Sequence, residues 1–302
     1  MTRASVTAIV LAKNEAVHIE RCLRSLRGCV ERVVVVDSNS TDQTVELARR
    51  EGADIYQHPF RNYADQFNWA LDQCEISSDW IMRIDSDEFI DDKLAREIQN
   101  RLPGLGPQIT GIVVERRIKF LGKTIRFGGG VSPQYLLKIW RAGMGRVENR
   151  WMDEHTVLAN GETVTFGGTL LDDNIKGMTY WVEKHNWYAT REMIDYLNSE
   201  FRFFSEVELS GSAKEARVKR QMKVGIYNKT PLIYRALLFF LYRYFFRLGF
   251  LDGLPGLLFH LMQGLWYRVL VDIKIMEART FLGRYGVDAF RSMLQERHNI
   301  AL

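Results

Sequence analysis

Short β-branched runs alternate with helical patterns through the first hundred residues. Val6 to Leu11 is continuously apolar, Ile19, Leu23 and Leu26 recur at helical spacing, and Val33-Val34-Val35-Val36 is again continuous. Apolar runs without polar alternation belong to strands buried on both faces, and strand, helix and strand in succession predict parallel βαβ units. Ser40 and Gln43 have the spacing of a capping box, so a helix is predicted from there to Glu51, with Gly52 at its stop. A short strand near Ile55, a helix through Phe67 and Leu71, a strand from Trp80 to Ile84 and a capped helix from Asp91 to Arg101 follow. The prediction is an α/β domain with a mostly parallel central sheet and helices on both faces. Ligands of such sheets bind beyond the carboxyl ends of the strands.

The pattern then changes. A hairpin is predicted around Gly122-Lys123 and a strand from Tyr135 to Trp140, so this half of the sheet should be antiparallel or mixed. Tyr180 to Phe204 reads as a long aromatic-rich helix and Lys214 to Lys223 as a basic one. Pro231 to Leu248 is dense in Leu, Phe and Tyr, yet places Arg235, Arg243 and Arg247 within one third of a helix circumference. Leu257 to Leu270 repeats the design with His260, Gln263 and Arg268, after the break Asp252-Gly253-Leu254-Pro255-Gly256. This amphipathic helical region with a basic stripe suits a membrane interface. A spanning hairpin and ordinary core helices are rival readings, although no uninterrupted apolar run reaches the roughly 18 residues of a spanning helix. The expected division is a domain over residues 1–225 and a helical, membrane-associating tail over residues 226–302.

Composition narrows this picture little: 46% hydrophobic and 26% charged residues allow a full core and exclude a disordered or fibrous chain. Cys22, Cys29 and Cys74 show no Cys-x-x-Cys spacing, so neither a disulfide framework nor a zinc site is expected. The apolar stretch near the N-terminus is too short for an export signal, and the cytoplasm is the expected compartment. Charge changes more. Beyond residue 210 there are 15 Lys and Arg against 6 Asp and Glu, a net +9, whereas the preceding residues carry a net −5. An anionic surface is the expected partner of the tail. The Phe, Leu and Tyr between its arginines favour acidic lipid, and no nucleic-acid partner is expected.

Three polar clusters fall at predicted strand ends: Lys13-Asn14-Glu15, Asp37-Ser38-Asn39-Ser40 and Asp85-Ser86-Asp87-Glu88. The first strand-to-helix turn, Ala12-Lys13-Asn14-Glu15, has no glycines to approach a pyrophosphate, so no nicotinamide site is indicated, and a Walker loop is absent. Asp85 and Asp87 crowd like charges at the end of a buried strand, a cost that a divalent cation removes. Mg²⁺ or Mn²⁺ binds well through a couple of carboxylates plus a substrate diphosphate. Asp87 is the expected direct ligand, with Asp85 on a ribose or acting through water.

Val10-Leu11-Ala12-Lys13-Asn14-Glu15, Val36-Asp37-Ser38-Asn39-Ser40-Thr41-Asp42-Gln43-Thr44 and Ile84-Asp85-Ser86-Asp87-Glu88 together resemble the successive motifs of family-two glycosyltransferases. That resemblance implies the GT-A fold and a nucleotide-sugar donor, a UDP sugar. It places Asn14 and Glu15 under the nucleotide, Asp37 on the base, Gln66 and Asn68 beside the donor, and Asp85 and Asp87 on ribose and metal. Asp37 also reads as a helix-capping turn residue, and both roles can coexist.

Sugar transfer needs a base for the acceptor hydroxyl. Trp151-Met152-Asp153-Glu154-His155 is the best candidate cluster, because family members carry an acidic residue or pair here. Glu154 is slightly preferred over Asp153, and a solvated helix start is the competing reading of the cluster. His155 reaches the metal or a phosphate, or is a hydrogen-bonded structural residue. A single displacement would invert the anomeric centre.

Trp181 to Tyr188 and Gly249 to Gly256 resemble segments of bacterial transferases that build lipopolysaccharide cores or exopolysaccharide repeat units. The implied acceptor is a glycolipid, a lipopolysaccharide core or a polyprenyl-diphosphate-linked glycan, met by a peripheral protein on the cytoplasmic face of the inner membrane. The rival readings are a sugar nucleotidyltransferase, disfavoured by the glycine-free first turn, and a non-catalytic membrane-docked module with a degenerate transferase fold.

Overall fold

The computed structural model describes residues 5–129, 132–148, 155–203, 230–298 and residue 300. They fall into two compact units that divide between Gly177 and Met178. The expected domain boundary at residue 225 and the basic helix expected over residues 214–223 lie outside the described residues.

The first unit is built on one large sheet. Its parallel part consists of β1 (Val6–Ala12), β2 (Arg32–Asp37), β3 (Asp54–Gln57) and β4 (Trp80–Asp85), in the order β3-β2-β1-β4. The sheet continues through β8 (Gln134–Arg141), β6 (Ile109–Phe120), β11 (Glu162–Asp172) and β5 (Glu88–Ile90), with β7 (Lys123–Thr124) paired to β6. β8 runs antiparallel to both β4 and β6, and β6 is parallel to β11, so this half is mixed, as the changed pattern implied. A separate two-stranded ladder joins β9 (Gly145–Val147) to β10 (Thr156–Leu158).

Continuous apolar strands are explained by two cores, one on each face. Val6, Ala8 and Val10 of β1 and Trp80, Met82 and Ile84 of β4 point into one core with Ile19, Leu23 and Leu26 of α1 (Ile19–Leu26). The intervening Ile9, with Val34, Val36 and Ile81, points into the other, which is filled by Phe67 and Ala70 of α3 (Tyr63–Gln73) and by Trp140. Period two along a strand thus serves two apolar faces at once.

One helix start differs from expectation. α2 spans Thr44–Arg50, and neither Ser40 nor Gln43 caps it. The Ser40 hydroxyl instead bonds Asp37 and accepts the Asn14 amide at 2.8 Å, so the capping-box residues serve the strand ends and the helix begins later. α4 (Asp92–Asn100) is capped as predicted, Asp91 accepting the Leu94 amide at 2.8 Å.

The second unit contains α5 (Gly177–Phe201), α6 (Tyr234–Leu241), α7 (Gly253–Phe259) and α8 (Tyr267–His298), the last bent at Gly286, whose φ is 79°. Glu192 of α5 accepts from Tyr267 and Arg268 at 2.7 and 2.6 Å, tying α5 to α8. The basic stripe expected on α6 is not a surface feature. Arg235 and Arg243 are 3% and 1% exposed, and His260 and Gln263 are buried as well, while Tyr234, Leu237, Leu238, Tyr242, Phe245 and Phe246 face outward and, of the three expected arginines, Arg247 alone is exposed. Arg235 is paired with the Asp272 carboxylate, which offsets the cost of withdrawing it from water, whereas Arg243 has the neutral Gln263 amide as a partner and burial holds its pKa down at about 9.

Candidate active site

Register brings the three polar clusters together. Ala12 pairs with Asp37 across β1 and β2, and Leu11 pairs with Asp85 across β1 and β4. The chain therefore leaves the sheet in three adjacent places, at the carboxyl ends of β1, β2 and β4.

Asn14 joins two of them. Its side-chain oxygen accepts the Thr41 amide at 2.8 Å, from a backbone with φ of 54° that asparagine tolerates better than most residues. Asp37 is fully buried and accepts from the Ser40 amide at 2.8 Å and from the Ser40 hydroxyl, so it closes a turn, but it does not cap α2, which begins at Thr44. Gln66 is also fully buried; it donates to Ser38 at 2.9 Å and bonds His58 at 2.8 Å. Asn68 makes a two-way clamp on the backbone of Val147, at 2.8 and 3.0 Å.

Glu15 is tied down on both oxygens. Lys176 reaches one at 2.6 Å and His18 Nδ1 the other at 2.6 Å. The Ile175 amide donates to His18 Nε2 at 2.9 Å, which assigns the hydrogen to Nδ1.

The acidic pair has partners that the sequence did not reveal. The Tyr63 hydroxyl donates to Asp85 Oδ1 at 2.6 Å, and the Asp85 amide donates to Glu88 at 2.9 Å. Burial opposes the charge of Asp85, but Lys138, Arg83 and the Tyr63 hydroxyl outweigh burial and the repulsion of Asp87, holding the carboxyl below its ordinary range. The crowding is therefore already compensated from within the protein at Asp85. Glu88, 1% exposed, accepts from Lys138 at 2.7 and 3.0 Å and from Arg116 at 3.0 Å. Arg116 also pairs with Asp172, which lies opposite Glu88 in the β11–β5 ladder. Burial disfavours the Arg116 charge, yet these carboxylates raise its pKa above the ordinary guanidinium value.

The segment after β11 closes this corner. The Asp173 amide donates to the Asp87 carbonyl at 3.1 Å, and Asn174 donates to Asp87 Oδ2 at 3.0 Å. The Asp173 carboxylate takes Arg21 at 2.7 Å and Lys119 at 2.9 Å. Residues 172–176 thus connect the proposed metal carboxylate Asp87 with Glu15, the acidic residue of the first turn. Sequence reasoning missed Tyr63, Arg83, Arg116, Lys138 and this segment. Two signals were present: Lys138 interrupts the apolar run of β8, and Asp172-Asp173-Asn174 is a fourth polar cluster at a strand end.

Asp153 and Glu154 lie outside the described residues. His155 is exposed, its carbonyl accepting the Glu148 amide at 2.9 Å.

Residues 7–148, with all three clusters, match the model of glycosyl transferase family 2. The chain carries a family-two glycosyltransferase domain. The transferase is 23% identical to an uncharacterized glycosyltransferase of Rickettsia prowazekii (strain Madrid E) over 97% of this chain and 96% of that one. It is 29% identical, over 94% of this chain and 96% of the relative, to the lipopolysaccharide core biosynthesis glycosyltransferase LpsC of Rhizobium meliloti (strain 1021). Among solved structures it is similar to glucosyl-3-phosphoglycerate synthase from Mycobacterium tuberculosis in complex with Mn²⁺, UDP and glucosyl-3-phosphoglycerate, at 24% identity and a TM-score of 0.29. That likeness covers 38% of this chain and 44% of the synthase. The matched domain ends before Asp153, Glu154 and His155. The family and the α/β sheet with its flanking helices bear out the expected GT-A class for the transferase domain.

Proposed function

We propose that this transferase moves a sugar from a UDP sugar to a membrane glycolipid, with inversion and with Mn²⁺ or Mg²⁺, in surface polysaccharide biosynthesis. The observation that carries the reading is the Asp85-Ser86-Asp87 pair at the carboxyl end of β4, with Asp85 fixed by Tyr63 and kept charged by Lys138 and Arg83. Its donor set fits the cation, since hard divalent ions take carboxylate oxygens and complete their shell with phosphate and water. Among the described residues no group of three or more His, Cys, Asp or Glu side chains is placed to hold a metal alone. The protein's share of the coordination is then the pair, and the donor diphosphate supplies the rest.

Asp87 would hold the cation directly, with Asp85 on the ribose or acting through water and His155 as a further candidate ligand. When bound, the cation stabilises the departing nucleoside diphosphate. Asn14 and Glu15 form the floor under the nucleotide, Asp37 meets the base, and Gln66 and Asn68 hold the walls beside the donor. Glu154 or Asp153 takes the proton of the acceptor hydroxyl as it attacks the anomeric carbon from the opposite face. No covalent nucleophile is required, so a single displacement inverts the centre.

The likeness to LpsC over nearly the whole chain supports a lipopolysaccharide core acceptor, with a polyprenyl-diphosphate-linked glycan as the second candidate. The placement that follows is the cytoplasmic face of the inner membrane, against an anionic lipid surface. A mass-spectrometric screen of nucleotide sugars against membrane glycolipid extracts tests the reading. A donor-dependent mass increment on a glycolipid is expected. Donor hydrolysis without any glycolipid product would contradict the acceptor class.

A further inference from the structure

Among the described residues, no single helix is long and apolar enough to cross a membrane, but one bent pair, Tyr234–Phe246 with Gly249–His298, has the composition of a broken span with a 70° bend. We infer that residues 234–266 seat an apolar face among the acyl chains of one leaflet, held by hydrophobic contact and not by attraction of arginines to headgroups. This builds on the membrane placement proposed above.

The pattern is inverted relative to a soluble amphipathic helix. Tyr234, Leu238, Tyr242, Phe245 and Phe246 recur at helical spacing on the outer face, with Tyr234 at 68% and Phe246 at 79% exposure, and Leu254 is exposed on the second arm. The polar side chains point the other way. Arg235 Nε donates to the fully buried Asp272 at 2.8 Å, while the Ile233 amide donates to the other oxygen of Asp272 at 2.7 Å. Arg243 donates to Gln263 at 2.7 Å and lies near the rings of Phe239 and Phe259. A structure that meets water has no reason to bury two arginines beneath a layer of Phe and Leu. One that meets acyl chains does, because polar groups must then be satisfied internally.

The connection between the arms obeys the same rule. The Arg247 amide donates to Tyr242 at 2.9 Å, Leu248 to Phe245 at 3.3 Å and Leu251 to Leu248 at 3.0 Å, so these donors at the turn are satisfied within it. The first arm, Tyr234–Phe246, is about 20 Å long at 1.5 Å per residue, against roughly 30 Å of hydrocarbon. It reaches into one leaflet and no further. Arg247, exposed at the elbow, is long enough to extend its guanidinium to the headgroups.

The test is flotation of the full chain with vesicles of phosphatidylcholine alone, without donor, in low salt and in about 1 M NaCl, where surface charge attraction is screened. Retained binding in both is expected, with about a 10-fold loss in the double variant Leu238→Asp/Phe246→Asp and no loss in Arg247→Ala. Both changed residues are exposed, and a circular dichroism melt reports whether the variant is folded; the salt comparison needs no variant. Binding confined to anionic vesicles and abolished by salt would overturn the inference. So would a salt-stable dimer in light scattering that ignores vesicles, which would make a second copy the occupant. Transfer to detergent-dispersed glycolipid is measured separately, so loss of this inference leaves the reaction assignment intact.

Discussion

The phenol of Tyr63 donates to Asp85 Oδ1 at 2.6 Å while its oxygen accepts from Arg83 Nε at 2.9 Å. A helix residue of α3 therefore orients the first carboxylate of the acidic pair, and an arginine from β4 itself orients the phenol. Arg83 also lies over the Tyr63 ring, 4.2 Å from its centre. Tyr63→Phe should keep the fold, since the ring remains, and should cost about 2 kcal/mol of stability for the two lost hydrogen bonds. Activity should fall about 10-fold or more as Asp85 loses its orientation. Steady-state kinetics beside a thermal melt separates the two effects; full activity in Tyr63→Phe would remove Asp85 orientation from the account.

Lys138→Met should be more damaging to the fold than to the surface charge balance. It leaves Glu88 buried with Arg116 as its remaining side-chain cation and strips Asp85 of the largest influence favouring its charge. Removing one member of a buried pair costs about 3 kcal/mol, which a denaturant titration would register as a lower midpoint.

Gly168 sits where β11 passes the start of α4, and a Cβ there would overlap the backbone of Leu94. Backbone cannot swing aside as a side chain can. Gly168→Ala should destabilise the first unit by about 2 kcal/mol or more, whereas Gly104→Ala, with open space around it, should not. Melting temperatures of the two variants make the comparison.

His185 gives the second unit a pH dependence of known sign. Burial pushes its pKa down to about 4, with Lys184 and Arg268 adding to the effect and the hydrogen bond to the Trp181 carbonyl opposing it. The unfolded chain protonates this ring near 6.5, so between those values the unfolded state binds the extra proton. Stability should hold above about pH 6.5 and fall as pH drops toward 4. His260, whose pKa burial also pushes down to about 4, acts with the same sign, so His185→Gln should lessen that slope without abolishing it in melts recorded across the range; an unchanged slope would place the titration elsewhere.

The sheet was legible because both of its cores demand apolar residues, so β1, β2 and β4 stand out as continuous runs. The clusters at their carboxyl ends were legible for the complementary reason: Asn14, Asp37 and Asp85 are polar where the run stops. Their partners were harder to find. Lys138 and Arg116 lie in strands distant in sequence from Asp85 and meet Glu88 only through the mixed half of the sheet, whose order no local pattern encodes. The tail shows the same limit more sharply. Periodicity placed Arg235 and Arg243 on one arc correctly, but periodicity does not say which arc faces inward; Asp272 and Gln263, on other segments, decide it.

The central claim is that Asp85 and Asp87 hold the donor through a divalent cation. Transfer from, or hydrolysis of, the UDP sugar should be measured on the wild-type chain with EDTA, after restoring Mn²⁺, and on Asp87→Asn. Loss of at least about 100-fold with EDTA, recovery with Mn²⁺, and no recovery in Asp87→Asn are expected. Full turnover in EDTA, or in Asp87→Asn, would contradict the claim.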